Sequence, residues 1–445
     1  MKNFRWWTVI GLAAAGVALS GCGGSGGDSS GDVSLRVANA TLNHASIDLL
    51  VDSESTVTAT GKDAVSDYAS ASDGTLTLQI NDAEGSTALS TSIRTLSKGN
   101  HYTVVAYESG GAVKTAVLSD DWDLPGSGIA GLRIYDAAIE AGSLDIYITT
   151  VTTVDACDQA NLLEPSTTFA TLTAPAAASL TQGAGSYTVC ATAAGNKADL
   201  RMSLPITVAE KTVVNVIMTP AVGGALINGS VLVQQEDGYT VVRNPNTRVR
   251  LAAAASDGTP VTATATASGE DPITIGSGAA PSFGFYKLVK ASSALTVKVN
   301  GNPVTLLNKT LVAGGDATLL AYVGPGGPTA TLIPDDNRPP SNAAATKLRL
   351  INGATGNVGT LTLTANSAPV GIEVDVGSAS SYQALIGTVN ASGNNTFSAE
   401  LSSSEVGPLD LTNPTIPVSA NATYSILAVG DVASQPLRLL VRSNQ

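Results

Sequence analysis

The chain is poor in what enzymes and nucleic-acid-binding proteins depend on. Of its 445 residues only 13% are charged and 4% aromatic, with two histidines, three cysteines and three methionines. Both histidines, His44 and His101, stand in the first quarter of the chain, so they cannot supply a site repeated along it. There is no Gly-x-Ser-x-Gly elbow, no His-Glu-x-x-His, no phosphate loop ending in Gly-Lys-Ser/Thr and no dinucleotide fingerprint. "GPGGP" (324–328) is glycine-rich but bracketed by prolines and without lysine, which makes it a loop. A carboxylate pair that cuts glycosidic bonds also needs a cleft that grips sugar, and Trp122 is the one tryptophan beyond the N-terminal segment. No enzymatic activity is expected. Basic residues are scarce as well: 23 Lys and Arg face 36 Asp and Glu, for a net charge of −13. Such a balance argues against nucleic acid and anionic headgroups as partners.

Long apolar runs are missing too, with one exception. "WWTVIGLAAAGVAL" (6–19) follows Lys2 and Arg5 and is too short and too rich in small residues for a good membrane span. It ends in Leu19-Ser20-Gly21-Cys22, which resembles the lipobox of bacterial lipoproteins. The resemblance implies cleavage after residue 21 and a lipid on Cys22, an anchor worth about 0.8 kcal/mol per buried methylene. An ordinary secretory signal with a chance cysteine is the alternative. Gly23 stands where an Asp would imply inner-membrane retention, so the expected address is the outer membrane, on its periplasmic face or at the cell surface. Loss of Lys2 and Arg5 takes the charge from −13 to about −15. Residues 22–32 then read as the lipidated cysteine followed by a flexible Gly/Ser tether.

Removing Cys22 leaves Cys157 and Cys190. In an oxidising compartment an even pair usually forms a disulfide, which would contribute about 3–4 kcal/mol in the chain-entropy model. Two free thiols are the alternative. A metal site would need more ligands than the pair provides.

What the chain does have is repetition. "SLRVANA" (34–40), "GLRIYDA" (131–137), "RVRLAAA" (248–254) and "KLRLINGA" (347–354) write apolar–Arg–apolar four times. They stand about a hundred residues apart, enough for each unit to bury a core of its own. Short β-branched and alternating runs follow each opening, among them "IDLLV" (47–51), "LDIYI" (144–148), "PVTATATA" (260–267) and "TLTLTA" (360–365). With turns between them and no sustained 3.6-residue period, this is a β-sandwich pattern. The expected organisation is all-β, with sandwiches over 33–123, 130–238, 246–336 and 345–445 behind a signal peptide over 1–21. Joined by short linkers, they are expected to fold largely on their own as a rod.

The Arg-bearing opening strand, the "D-[VIL]-[YL]-[VIL]" run, the Gly turn before "YTVVAY" (102–107) and the closing "DD" (120–121, 335–336) are similar to the domain of unknown function 4397. The likeness extends best over 33–121 and 346–445. It implies an immunoglobulin-like sandwich on a bacterial envelope lipoprotein, and it implies no catalytic residues.

Two sets of residues invite a functional reading. Arg36, Arg133, Arg250 and Arg349 recur in the openings. Strand alternation puts each opposite its apolar neighbours, and the expected role is structural. Each would sit on an outer strand face and pair with an acid such as Asp48 or Asp145, for about 0–1 kcal/mol. A ladder of sites for an acidic polymer is the alternative. Tyr68, Tyr286 and Tyr382 read as core residues with the hydroxyl at the edge rather than a sugar platform. The second set closes the first three units: Asp120, Asp121 and Asp123, then Glu236 and Asp237, then Asp335 and Asp336. These acids would keep the linkers solvated. The alternative is a calcium ion clamped between neighbours with help from a facing residue such as Asp136, although calcium needs six to eight oxygens. The functional expectation is a lipid-anchored envelope protein with a structural, protein-interaction or adhesion role, the alternative being a module that binds glycan or peptidoglycan.

Overall fold

A computed structural model describes residues 32–444, apart from 154–155, 159–161, 163–168, 256, 325, 357, 390–394 and 435. Cys22 and the signal segment lie outside the described residues. The chain folds as four two-sheet β-sandwiches in a row. In each, one sheet is built around the opening strand: Asp32–Ala40, Ile129–Asp136, Asn246–Ala254 and Thr346–Asn352. That strand pairs in parallel with the penultimate long strand of its unit: His101–Ser109, Val213–Pro220, Asp316–Gly324 and Thr423–Val429. A last strand then pairs antiparallel to it: Ala112–Ser119, Ile227–Val233, Gly327–Asp335 and Arg438–Ser443. Parallel pairing requires the chain to cross over, and the residues between build the second, outer sheet and add an edge strand beside the opening strand.

The two central strands of the opening sheet are buried on both faces, which explains their near-continuous apolar sequence. Alternation divides the residues between two cores. Val33, Leu35 and Val37 enter the core of the first sandwich, with Val104 and Ala106. Leu132, Ile134, Val214 and Val216 do the same in the second. The intervening residues, Ala38, Ala40, Val105 and Tyr107, instead meet Tyr135, Ala137, Ile217 and Leu232 of the second sandwich. The third and fourth repeat the scheme, with Ala252, Ala254, Leu320 and Tyr322 against Ile351, Leu427 and Val429. A one-residue slip of any opening strand would exchange the two sets, so both neighbours hold its register.

The sandwiches are therefore not independent beads on linkers, as the sequence suggested. They pack face to face, first on second and third on fourth. Separating a pair would return Val105 and Ile217, or Leu320 and Leu427, to water, and each such side chain is worth about 1.5–3 kcal/mol. The first and second halves also touch. Gly223 N–H donates to Gly314 O at 2.9 Å, Asn337 N–H to Gly223 O at 3.2 Å, and Arg338 Nη1 to Asn43 Oδ1 at 2.7 Å.

Cys157 and Cys190 form a disulfide with Cα atoms 5.5 Å apart. It packs with Tyr147 and Leu162 on the outer sheet of the second sandwich, where Cys190 is paired with Tyr147 across the strands. Because the first two sandwiches share a core, reduction should destabilise both together by about 3–4 kcal/mol, and leave the third and fourth unchanged. Calorimetric melting with and without reductant measures this. A shift confined to a transition of the second sandwich alone would show that the shared core does not couple them.

Candidate functional site: two buried arginine seams

The four repeated arginines lie inside the molecule. Arg36, Arg250 and Arg349 are 1%, 0% and 2% exposed, and the Arg133 side chain is 12% exposed. Each lies on the face of its opening strand that meets the neighbouring sandwich. The expectation of an outer-face arginine paired with Asp48 or Asp145 is corrected by the sheet order, because those acids belong to the other sheet. Asp48 accepts from the Ala59 N–H at 2.7 Å, and Asp145 accepts from Thr171 Oγ1 at 2.6 Å and the Gly195 N–H at 2.8 Å. Both fasten local backbone.

In the first seam Arg36 donates from Nε to Thr103 Oγ1 at 2.8 Å and from Nη2 to Asp120 Oδ2 at 3.1 Å. Its Nη1 crosses to the second sandwich and donates to Glu236 O at 3.0 Å. Arg133 crosses the other way: Nη1 donates to Ser119 O at 2.6 Å and lies 4.0 Å from Asp120 Oδ1. One carboxylate thus stands between two guanidinium groups. Asp120 also accepts from the Tyr68 hydroxyl at 2.7 Å, from Thr103 and, across the seam, from Asn215 Nδ2 at 3.3 Å. Aromatic rings cover both cations, Tyr68 at 4.4 Å from the Arg36 guanidinium carbon and Trp122 at 4.3 Å from that of Arg133.

The second seam has the same plan. Arg250 donates from Nε to Thr318 Oγ1 at 2.9 Å and from Nη1 across to Ser443 O at 3.2 Å. Arg349 donates from Nε to Ser425 Oγ at 3.0 Å and from Nη1 back to Pro334 O at 2.9 Å. Asp335 is ion-paired with both, to Arg349 directly and to Arg250 at 3.6 Å, and accepts from Tyr286 and from Thr318 Oγ1. Tyr286 lies 4.6 Å from the Arg250 guanidinium carbon, and Tyr382 lies 4.7 Å from that of Arg349. The three tyrosines are therefore lids on buried cations, a role that neither sequence reading assigned them.

The acids at the unit ends do join neighbouring sandwiches, but through hydrogen-bond donors. Asp121 accepts from the His101 N–H at 2.7 Å and from Gln235 Nε2 of the second sandwich at 2.8 Å. Asp237 accepts from the Tyr68 N–H at 3.0 Å. Asp336 binds Arg338 Nε at 2.7 Å and Lys347 Nζ of the fourth sandwich at 2.9 Å. Glu236 contributes its carbonyl, and Asp123 is exposed. Guanidinium, amide and hydroxyl donors thus take up oxygens on which the calcium alternative would draw. Among the described residues no three His, Cys, Asp or Glu side chains are grouped as a metal site requires.

The sequence reading missed the polar partner that the penultimate strand places beside each arginine. These are Thr103, Asn215, Thr318 and Ser425, which pair in register with Arg36, Arg133, Arg250 and Arg349. The signal was present as one polar residue entering each otherwise apolar strand, "TVV", "NVI", "TLL" and "SIL".

Electrostatics follow from burial. Burial by itself would raise the Asp335 pKa, but Arg349 and Arg250, with the Tyr286 and Thr318 donors, hold it below the ordinary value. Tyr286, buried and beside that carboxylate, is pushed well above its ordinary value and stays a donor. Because Asp335 titrates lower when folded, its contribution is present above the unfolded value near 3.9 and is lost as pH falls through the folded value. Asp335→Ala leaves two buried guanidinium groups without a carboxylate and should cost about 3–5 kcal/mol by urea titration at neutral pH. A loss under about 1 kcal/mol, the size of a surface pair, would contradict a buried seam.

At the far end of the first seam the sign is opposite. Asp136 is fully buried, its Oδ1 taking the Ala138 N–H at 3.0 Å while Oδ2 finds no protein partner. Burial raises its pKa to about 7, and burial likewise raises that of Glu140, whose Oε2 is also unpartnered, to about 7. Glu108, Arg338 and Lys62 are the charged groups that face Glu140. A carboxyl that binds its proton more tightly when folded contributes full stability below the unfolded value, about 4, and loses it as pH rises towards 7. The first two sandwiches should therefore melt progressively lower from pH 4 to pH 7, and Asp136→Asn should flatten that slope. An unchanged slope in the variant would mean that Asp136 does not titrate there.

Residues 33–147 match the family model described as Domain of unknown function (DUF4397), through the first sandwich and as far as Tyr147 in the second. No curated protein matches the chain. A solved structure named a "putative cell adhesion protein" from Bacteroides uniformis is 16% identical with a TM-score of 0.19, covering 47% of this chain and 99% of its own. The multi-modular glycogen-degrading pneumococcal virulence factor SpuA is 8% identical with a TM-score of 0.16, covering 63% of this chain and 38% of its own. Likenesses at these TM-scores do not bear on function. The likeness to that family covers the first sandwich and the strands that open the second.

Proposed function

We propose that this chain is a lipid-anchored protein of the bacterial outer envelope, held by Cys22 and the Gly/Ser tether. It serves as a stiff structural or protein-interaction element, adhesion included, without catalysis of its own. The observation that carries the reading is the pair of buried arginine seams: they spend the repeated charged residues on fixing sandwiches against one another, not on a reactive site. A lipobox and tether at one end of such a body are suited to holding its outer sheets away from the membrane. A second reading, a module that binds glycan or peptidoglycan, is favoured by one cleft described below. On the first reading Cys22→Ala abolishes metabolic labelling with palmitate and releases the chain from the membrane fraction. Labelling that survives in that variant would end it. Protease shaving of intact cells then separates the periplasmic face from the cell surface.

A further inference from the structure

A cleft of about 470 Å³ opens where the second, third and fourth sandwiches meet. Asp199 and Leu200 of the second sandwich, Phe285 and Lys287 of the third and Ser443 of the fourth line it. Arg248, in the floor, is held by Asp316 at 2.7 and 2.8 Å, and Asp199 is paired with Arg201 at 2.8 Å. Those two carboxylates answer Arg248 and Arg201. Lys287, which lines the cleft, and Arg442, which stacks on the lining Phe285, make no ion pair among the described residues, so two positive charges are left over on a chain whose net charge is −13.

Phe285 is the most exposed large hydrophobic residue among those described, at 73%. It contributes little to any core. Arg442 holds it from one side, its guanidinium carbon 4.4 Å from the ring centre and its Nε and Nη2 bonded to Phe283 O at 3.0 and 2.6 Å. The ring is thus oriented before any ligand arrives. An inorganic anion would have no use for it, and an apolar ligand would have no use for the surplus cations. A sugar ring that carries a carboxylate uses both. Its C–H face stacks on an aromatic, and its acid takes charge-assisted hydrogen bonds.

We propose that this cleft binds a carboxylated saccharide, stacked on Phe285 and neutralised by Lys287 and Arg442. The inference rests on the second reading above and gives it a site. A uronic-acid polymer and the muramic acid of peptidoglycan both offer this chemistry, and titration calorimetry of the full chain in mild detergent distinguishes them. The titrants are oligogalacturonate, a muramic-acid-containing peptidoglycan fragment, a neutral maltooligosaccharide and polyglutamate. At least one of the first two binds, more weakly as salt is raised, and the last two do not. Phe285→Ala and Lys287→Gln each weaken binding by about tenfold, with melting temperatures unchanged. No binding of either acidic sugar overturns the glycan reading as a whole. Acidic-sugar binding that persists undiminished in Phe285→Ala overturns this site alone. Polyglutamate binding as tight as that of the sugars overturns the ligand class.

Discussion

One carboxylate between two guanidinium groups, closed off from water, is the interaction on which the arrangement of the sandwiches depends. Asp120 holds Arg36 and Arg133, and Asp335 holds Arg250 and Arg349. Each seam carries one more cation than anion. The difference is met by backbone carbonyl oxygens of the partner sandwich, Glu236 and Ser119 in one seam and Ser443 and Pro334 in the other, and by the aromatic rings stacked on the guanidinium groups. Taking such charges out of water is expensive and is recovered only when nearly every donor finds an acceptor. Here the acceptors come from both sandwiches, so the full set exists only when the pair is assembled.

The exchange is reciprocal. In each pair the first arginine reaches a backbone carbonyl of the partner sandwich while the partner's arginine reaches back. This is the logic of an isologous dimer interface, carried out between two units of one chain. Between the arginines, small and branched side chains such as Ala38, Val105, Ile217, Ala252 and Leu427 fill the seam. The apolar contact supplies the attraction, and the charge cluster fixes the relative position of the sheets, because sliding one past the other would strand a buried ion. A role for buried charge in specificity rather than in raw stability fits these interfaces.

The same economy of charge is visible across the molecule. With few lysines and arginines available, the buried arginines of the openings are consumed by the seams, and Lys347 by a contact between neighbouring sandwiches through Asp336. Burial would raise the Asp336 pKa, but hydrogen bonds from Arg338 and Lys347 pull it down to about 2. The cleft around Phe285 departs from this pattern, with cations that have no acid to answer and a ring that faces water.

Alternation and spacing in the sequence carried the all-β class, the four-fold repeat and the strands that build each core. These depend on local periodicity, which one chain read alone displays. The disulfide was legible from the even cysteine count beyond Cys22. The meaning of the arginines was not. In "SLRVANA" strand alternation puts Arg36 opposite Leu35 and Val37, and that much held. Whether the opposite face meets water or another sandwich cannot be read from a period of two, and the small residues Ala38 and Ala40 were the one trace of a second buried face. Asp120 and Glu236 find Arg36 across separations of 84 and 200 residues. The sequence by itself determined which residues must point away from each core. Only the tertiary structure decided what they meet there, because the partner of a buried charge is chosen by the packing of whole sheets.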